Sequence, residues 1–303
     1  MKLRYMLSAG ALAGGAYLAA RRRLAPPPAA LHAVLAGSPL LVAHRGGAGL
    51  APENTLEACR RADAWWRADM VELDVHASLD GHCVVIHDPT VERTTDGAGA
   101  VAEMTLAELR ALDAGYRFTR DGGATFPFRG QGLRIPTLDE VLDALPRLRI
   151  ILEVKAAAAQ LPFMDTVRRH DAVDRVVAAG MYDRDRTHFG DWTGAVSAST
   201  EQVRRFLAAH WCRAGVLASP PVHVVQVPEY HGRLRIVTVR FVEELHRRGI
   251  QVHVWTVNED AAMRRLLAWG VDGLITDRPD LAAAVLGELH GRPAPPGPPP
   301  GED

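Results

Sequence analysis

Apolar and polar residues alternate with period two over Val71-Glu72-Leu73-Asp74-Val75-His76. An Asp80-Gly81 pair follows, and then the run Cys83-Val84-Val85-Ile86 ends in His87-Asp88. Asp-Gly between two such runs predicts a tight hairpin. Glu72, Asp74 and His76 share one face of the first strand, and Val71, Leu73 and Val75 share the other. The apolar face must pack against something, so the acidic face points at water or at a cation. Pairing across Asp80-Gly81 brings His87 and Asp88 opposite Glu72, where two carboxylates and an imidazole converge. A solvated edge hairpin would carry the same pattern, and the remaining strands decide between the two.

Further short apolar runs occur at Leu40-Ala43, Ile150-Val154, Val176-Ala179, Ala195-Ser197, Val222-Val227, Val252-Thr256 and Gly273-Thr276. Amphipathic helical stretches lie between many of them, among them Thr55-Trp66, Leu138-Leu145, Val242-Arg248 and Glu259-Trp269. Strands alternating with helices argue for a parallel sheet covered by helices. Eight or nine strands over this span suit an α/β fold closed as a TIM (β/α)8 barrel better than an open sheet. Residues 89–135 interrupt the pattern with several glycines, Pro127 and one short helix, Thr105-Leu112, opened by a Thr105/Glu108 capping box. They read as a small inserted subdomain after the third strand.

The ends differ from this middle. Residues 1–37 begin with a short basic lead, continue with a Gly/Ala-rich apolar run from Met6 to Ala20, and pass through Arg21-Arg22-Arg23 to Pro26-Pro27-Pro28. The apolar run is shorter than the roughly twenty residues of a membrane span and closer to a signal-peptide core. A cleaved signal, an uncleaved anchor and a peripheral tether all fit, so the expected location is membrane-associated or exported. An anchor with arginines behind it would leave the barrel in the cytoplasm, whereas a cleaved signal would place it outside. Residues 290–303 are proline-rich and read as a disordered tail. The folded barrel is expected over 38–289.

The balance of 35 basic against 36 acidic side chains leaves no nucleic-acid footprint. Three cysteines, Cys59, Cys83 and Cys212, form neither a disulfide framework nor a paired metal motif. The basic residues are almost all arginine; the only lysines are Lys2 and Lys155. That single lysine within the fold shares a strand face with Ile151 and Glu153, and isolated charges inside a barrel are paired or bind a metal. His44-Arg45 closes the first strand, at the end where such barrels keep their active sites. Glu72, Asp74 and Glu153 make a hard-cation site suited to Mg²⁺ or Ca²⁺ rather than Zn²⁺. His44 and His87 flank it, and Arg45 and Lys155 add positive charge suited to phosphate. This combination points to phosphoryl chemistry with two histidines exchanging protons.

Seven ordered motifs carry a resemblance: His44-Arg45-Gly46, Pro52-Glu53-Asn54-Thr55, Glu72-Leu73-Asp74, His87-Asp88, Glu153-Val154-Lys155, Trp255-Thr256-Val257-Asn258 and Asp272 to Asp277. Together they resemble the glycerophosphodiester phosphodiesterases over about Leu40 to Leu286. The resemblance implies a TIM barrel with an insertion after the third strand, and hydrolysis of glycerophosphodiesters to glycerol 3-phosphate and an alcohol. It further implies one divalent cation on Glu72, Asp74 and Glu153, and His44 and His87 as general acid and base. Arg45 and Lys155 would bind phosphate, and Trp255 would wall the pocket.

Two other readings remain open on the sequence. Lysophospholipase D-type cleavage of lysophospholipids or N-acyl glycerophosphoethanolamines would keep the chemistry and require an apolar groove beside the metal. A non-catalytic, membrane-tethered binding protein would have lost ligands, and none is lost. The ordered motifs argue against a phosphoinositide-cleaving phospholipase C. Gln226 and Glu229 are secondary candidates for lining the substrate site, His76 a supporting or rim histidine, and Asp277 an anchor for the loop before Pro279. Asn54-Thr55, with Glu57, is expected mainly to start a helix, either residue being able to cap it, with no catalytic role.

Overall fold

The structure, a computed structural model, describes residues 30–212 and 220–300. Its strands are β1 (Leu40–His44), β2 (Met70–Ala77), β3 (Cys83–Val85), β4 (Arg149–Val154), β5 (Val176–Gly180), β6 (Ala195–Val196), β7 (Val224–Pro228), β8 (Tyr230–His231), β9 (Leu234–Arg235), β10 (Gln251–Trp255) and β11 (Gly273–Thr276). Parallel pairing runs in the order β6-β5-β4-β2-β1-β11-β10-β7, and a bridge between Ser197 and Val224 closes the ring. The fold is thus the expected TIM barrel of eight parallel strands. Strands buried on both faces read as continuous apolar runs. One face of each fills the barrel with residues such as Val42, Met70, Ile151 and Ile275, while the other packs Leu41, Leu73, Leu152 and Val154 against the helices.

The helices are α1 (Leu56–Ala64), α2 (Leu106–Arg110), α3 (Leu138–Ala144), α4 (Gln160–Arg169), α5 (Thr200–Trp211), α6 (Val239–His246), α7 (Asp260–Ala268) and α8 (Pro279–His290). The four singled out from sequence correspond to α1, α3, α6 and α7. Thr55, Thr105, Thr137, Ser199 and Thr238 each accept a backbone N–H in the first turn of the helix they precede, satisfying donors that the helix leaves unpaired.

The ninth strand of the main sheet is β3, which lies outside the ring and pairs antiparallel with β2 in the register Val75↔Val85, His76↔Val84, Ala77↔Cys83. Gly81 turns the hairpin at φ 83°, a conformation glycine adopts at little cost. The inserted residues then build a satellite core of Val84, Ile86, Val91, Val101, Leu109, Ala114 and Ile135. Hairpin and insertion therefore replace the simple link between the second and third barrel strands, and α3 supplies the crossover helix.

The expected start at Ser38 is corrected. Val34 and Leu35 are buried in the barrel's own core cluster, with Leu35 fully shielded from solvent. The carbonyls of Val34 and Ala36 accept from Arg149 at 2.9 and 2.7 Å, and that of Leu35 accepts from Gln251 at 2.9 Å. Arg149 and Gln251 begin their strands, so this segment plugs the N-terminal end of the barrel. An open barrel end would expose apolar side chains to water, and Val34 and Leu35 close it.

The targeting segment expected before it falls mostly on residues 1–29, outside the described residues. At the other terminus α8 runs to His290, and the proline-rich stretch beyond it has no regular structure as far as residue 300. That stretch is nonetheless held at two places. Arg292 donates to Asp69 at 2.6 Å and to the Pro39 carbonyl, and the Gly297 N–H donates to the Trp65 carbonyl at 3.0 Å. Among the described residues no helix is long and apolar enough to cross a membrane.

Candidate active site

Sheet register assembles the acidic cluster. His44 pairs beside Glu72 across β1 and β2, and Asp74 pairs beside Glu153 across β2 and β4. Neighbouring strands lie about 4.8 Å apart, and each of these side chains points into the barrel mouth. Glu72, Asp74 and Glu153 each offer an oxygen, all within 4.8 Å of one another. Glu72 and Asp74 are buried. Burial first, and the charge of Asp74 next, push the Glu72 carboxyl well above the ordinary carboxylate range. Asp74 is buried too, but Lys155, His87 and Arg45 outweigh that burial and hold it below its usual range. Three oxygen donors converging with surplus negative charge fit a hard divalent cation.

Each expected catalytic histidine is held by a carboxylate. His44 Nδ1 lies 2.6 Å from Asp277 Oδ1, leaving Nε2 toward the cavity at 3.9 Å from Glu72. Burial disfavours the charged ring, but the Asp277 hydrogen bond and the Glu72 charge more than offset it, so the His44 pKa is raised. His87 Nδ1 lies 2.6 Å from Asp88 Oδ1. Asp88 accepts from Arg93 at 2.5 Å, and Arg93 reaches on to both oxygens of Glu53 at 2.7 and 2.8 Å. Burial of Asp88 is more than balanced by Arg93 and His87, which bring its pKa down to about 2. A carboxylate on Nδ1 fixes the orientation and tautomer of each ring.

The expected phosphate-binding cations face the same cavity, already engaged by carboxylates. Lys155 bridges Asp74 at 2.9 Å and Glu153 at 2.8 Å, and these charges raise its pKa despite burial. Arg45 donates to Glu53 at 2.8 Å, lies 3.4 Å from Asp74, and leaves Nε without a hydrogen-bond partner. The Arg45 backbone sits at φ 52°, in a region costly for a residue with a Cβ. Gly46 beside it has φ 85°, and a Cβ there would meet that of Ala58 at 2.7 Å, so glycine lets the loop close onto α1. Trp255 ends β10, is 38% exposed, and forms part of the cavity wall. The cavity holds about 540 Å³ and contains all eight of the residues assigned to the site from sequence.

Other assignments shift. Asp277 does more than anchor a loop, since it orients His44 and is itself held by Asn258 at 2.7 Å. Asn54, expected mainly as part of a helix start, donates to the Asp74 carboxylate at 2.9 Å and accepts the Asp74 N–H at 3.2 Å. His76 meets the His87 carbonyl at 3.1 Å, which makes it a support. Gln226 lines the cavity, whereas Glu229 is paired with Arg265 at 2.8 Å and does not. Cys59 and Cys83 are buried, as small core residues would be, and burial pushes the Cys59 thiol up to about 12.

Residues 44–281 match the model of the glycerophosphoryl diester phosphodiesterase family. A glycerophosphodiester phosphodiesterase of Caldanaerobacter subterraneus is 32% identical over 255 residues, covering 80% of this chain and 95% of that protein. The glycerophosphoryl diester phosphodiesterase domain of a Mycobacterium tuberculosis protein superposes with a TM-score of 0.74. It is 23% identical and covers 83% of this chain and 100% of the domain. An Oleispira antarctica phosphodiesterase, solved with the product sn-glycerol-3-phosphate, gives a TM-score of 0.63 at 24% identity, covering 82% of this chain and 97% of its own.

Proposed function

The chain belongs to the glycerophosphoryl diester phosphodiesterase family, and we propose that it cleaves glycerophosphodiesters by two-histidine acid–base catalysis dependent on a divalent cation. The observation that carries this reading is the pairing of two carboxylate-held imidazoles with a converging carboxylate triad in one cavity. Glu72, Asp74 and Glu153 would hold the cation, Mg²⁺ or Ca²⁺, which when bound would neutralise charge on the phosphoryl oxygens. Arg45 and Lys155 would face the phosphate.

In this scheme one imidazole takes the proton of the glycerol 2-hydroxyl as that oxygen bonds to phosphorus. The bond from phosphorus to the head-group oxygen breaks, and the other imidazole gives that oxygen its proton. Water then opens the cyclic phosphate with the two rings in reversed roles, which yields glycerol 3-phosphate and restores both. Asp277 and Asp88 hold the rings in place throughout. The wide apolar side of the cavity favours, as a second reading, substrates with a hydrocarbon arm. Membrane association or export through residues 6–20 also belongs to the proposal.

The test incubates the full chain with glycerophosphocholine and quantifies free choline with chelator, Mg²⁺ or Ca²⁺. Cation-dependent release that chelator abolishes is the expected result. Unchanged release in chelator would remove the cation from the scheme, and no release under any cation would leave this head group outside the substrate range.

A further inference from the structure

Outside the catalytic cavity, one exposed side chain joins the two halves of the site. Arg93 lies in the insertion, midway between Val91 and Thr95, both fully shielded from solvent. The Thr95 N–H and hydroxyl both donate to the Val91 carbonyl, at 3.1 and 2.8 Å, so the turn that presents Arg93 is fixed. The guanidinium uses two edges. Nε donates to Asp88 Oδ2 at 2.5 Å, while Nη1 and Nη2 donate to the two oxygens of Glu53 at 2.7 and 2.8 Å. Asp88 in turn holds His87 at 2.6 Å, and Glu53 Oε1 accepts from Arg45 at 2.8 Å. The contacts therefore run His87–Asp88–Arg93–Glu53–Arg45, and only the two end residues line the cavity.

An exposed ion pair contributes little by itself, but this one is part of a network with a buried side. Burial would raise the Glu53 pKa, and the Arg93 hydrogen bond with the Arg45 charge outweighs it, so the pKa is lowered. Taking Arg93 away strips both carboxylates at once. Asp88 loses the bond that fixes it beside His87, and Glu53 is left free to turn and carry Arg45 with it. A planar fork serves two carboxylates in fixed geometry, which the point charge of a lysine does not.

We propose that Arg93 is a positioning residue that couples the two functions of the site: through Asp88 it aims the His87 ring for proton transfer, and through Glu53 it holds Arg45 toward the phosphate. The inference rests on the catalytic reading of His87 and Arg45. It gives the insertion a part in turnover although none of residues 89–135 lines the cavity.

The test measures kcat and KM for glycerophosphocholine in the full chain, with Arg93→Ala and Arg93→Lys, and with Arg93→Ala combined with Asp88→Asn or Glu53→Gln. Arg93→Ala should lower kcat about 10–100-fold and raise KM, and Arg93→Lys should restore little of either. Added to Asp88→Asn, Arg93→Ala should lower kcat no further; added to Glu53→Gln, it should raise KM no further. Unchanged kcat and KM beside a lowered melting temperature would make Arg93 an anchor of the insertion and overturn the inference. Full recovery by lysine, or the same effect in every background, would overturn it too. If the parent does not turn over glycerophosphocholine, the ring-nitrogen NMR shifts of His87, assigned with His87→Ala, read the Asp88 arm without activity. Shifts that move in Arg93→Ala support the inference, and unmoved shifts overturn it.

Discussion

The two ends of the barrel are built from opposite materials. At the carboxyl ends of the strands, buried carboxylates crowd one another, and Arg45 and Asn54 hold left-handed backbone at φ 52° and 57°. At the amino ends, Val34 and Leu35 fill the opening with apolar side chains, and Arg149 and Gln251 satisfy the carbonyls of the plug. Charge crowding and backbone strain oppose folding, whereas the plug favours it. Substitutions should therefore register at the catalytic end in turnover and at the plugged end in stability.

The largest effect expected from this contrast is at the histidines. His44→Ala or His87→Ala should lower kcat by about 10²–10⁴-fold while the unfolding midpoint stays near that of the parent. The double variant should be scarcely worse than either single one, as groups acting as a unit require. Steady-state kinetics and thermal melts on the same samples check both halves.

The mirror-image change is Leu35→Ala. It should cost about 2–5 kcal/mol in denaturant unfolding and leave kcat of the folded enzyme nearly intact. A chain cut to begin at Ser38 should be weakened further. Retention of full stability in either would show that the plug is ornamental.

Asp277→Asn sits between the two classes. It keeps the size of the side chain and removes the charge that holds His44 and favours its charged form, so kcat should fall by about 10–100-fold with a shifted pH profile. A purely structural role would lower the melting temperature and leave the profile unmoved.

Glu72→Gln should trade activity for stability. A carboxyl whose folded pKa is raised binds protons more readily in the folded state, so it weakens the fold as pH rises above its unfolded value near 4.5. In chelator, the variant should therefore match the parent near pH 4 and gain roughly 1–2 kcal/mol by pH 8. A gain that does not grow with pH would contradict the crowding.

The smallest effect belongs to the surface. His246 donates to Asp272 at 2.6 Å, and that hydrogen bond raises its pKa. Its contribution is complete below about pH 6.5 and is lost as pH rises through the raised value. His246→Gln should lower the melting temperature slightly at pH 5.5 and not at pH 9.

Much of the catalytic end was legible because its residues sit at period-two spacing on runs that can only be strands. Glu72, Asp74 and Glu153 needed no knowledge of the fold beyond alternation, and Asp80-Gly81 announced the hairpin. The supports were harder to read. Asp277 meets His44 across 233 residues, and nothing local to either predicts it. Arg93 lies in an insertion without periodicity, yet it ties Asp88 to Glu53. Asn54 looks like part of a helix start because Thr55 beside it caps the helix, and its side chain does a different job. The plug is two buried residues, Val34 and Leu35, in a proline- and alanine-rich stretch, too short to show any period.

The crowded carboxylates are proposed as a cation site, and cation binding is what gives that crowding a use. The most direct measurement is the thermal midpoint of chelator-stripped full chain as Mg²⁺ or Ca²⁺ is titrated in, alongside Glu72→Gln and Glu153→Gln. A cation that binds only the folded state stabilises it by about 2.7 kcal/mol at a hundred times its Kd. The account predicts a saturable rise for the parent chain, with choline release from glycerophosphocholine returning over the same concentrations, and a much smaller rise in both variants. A midpoint indifferent to either cation, with release continuing in chelator, would contradict it.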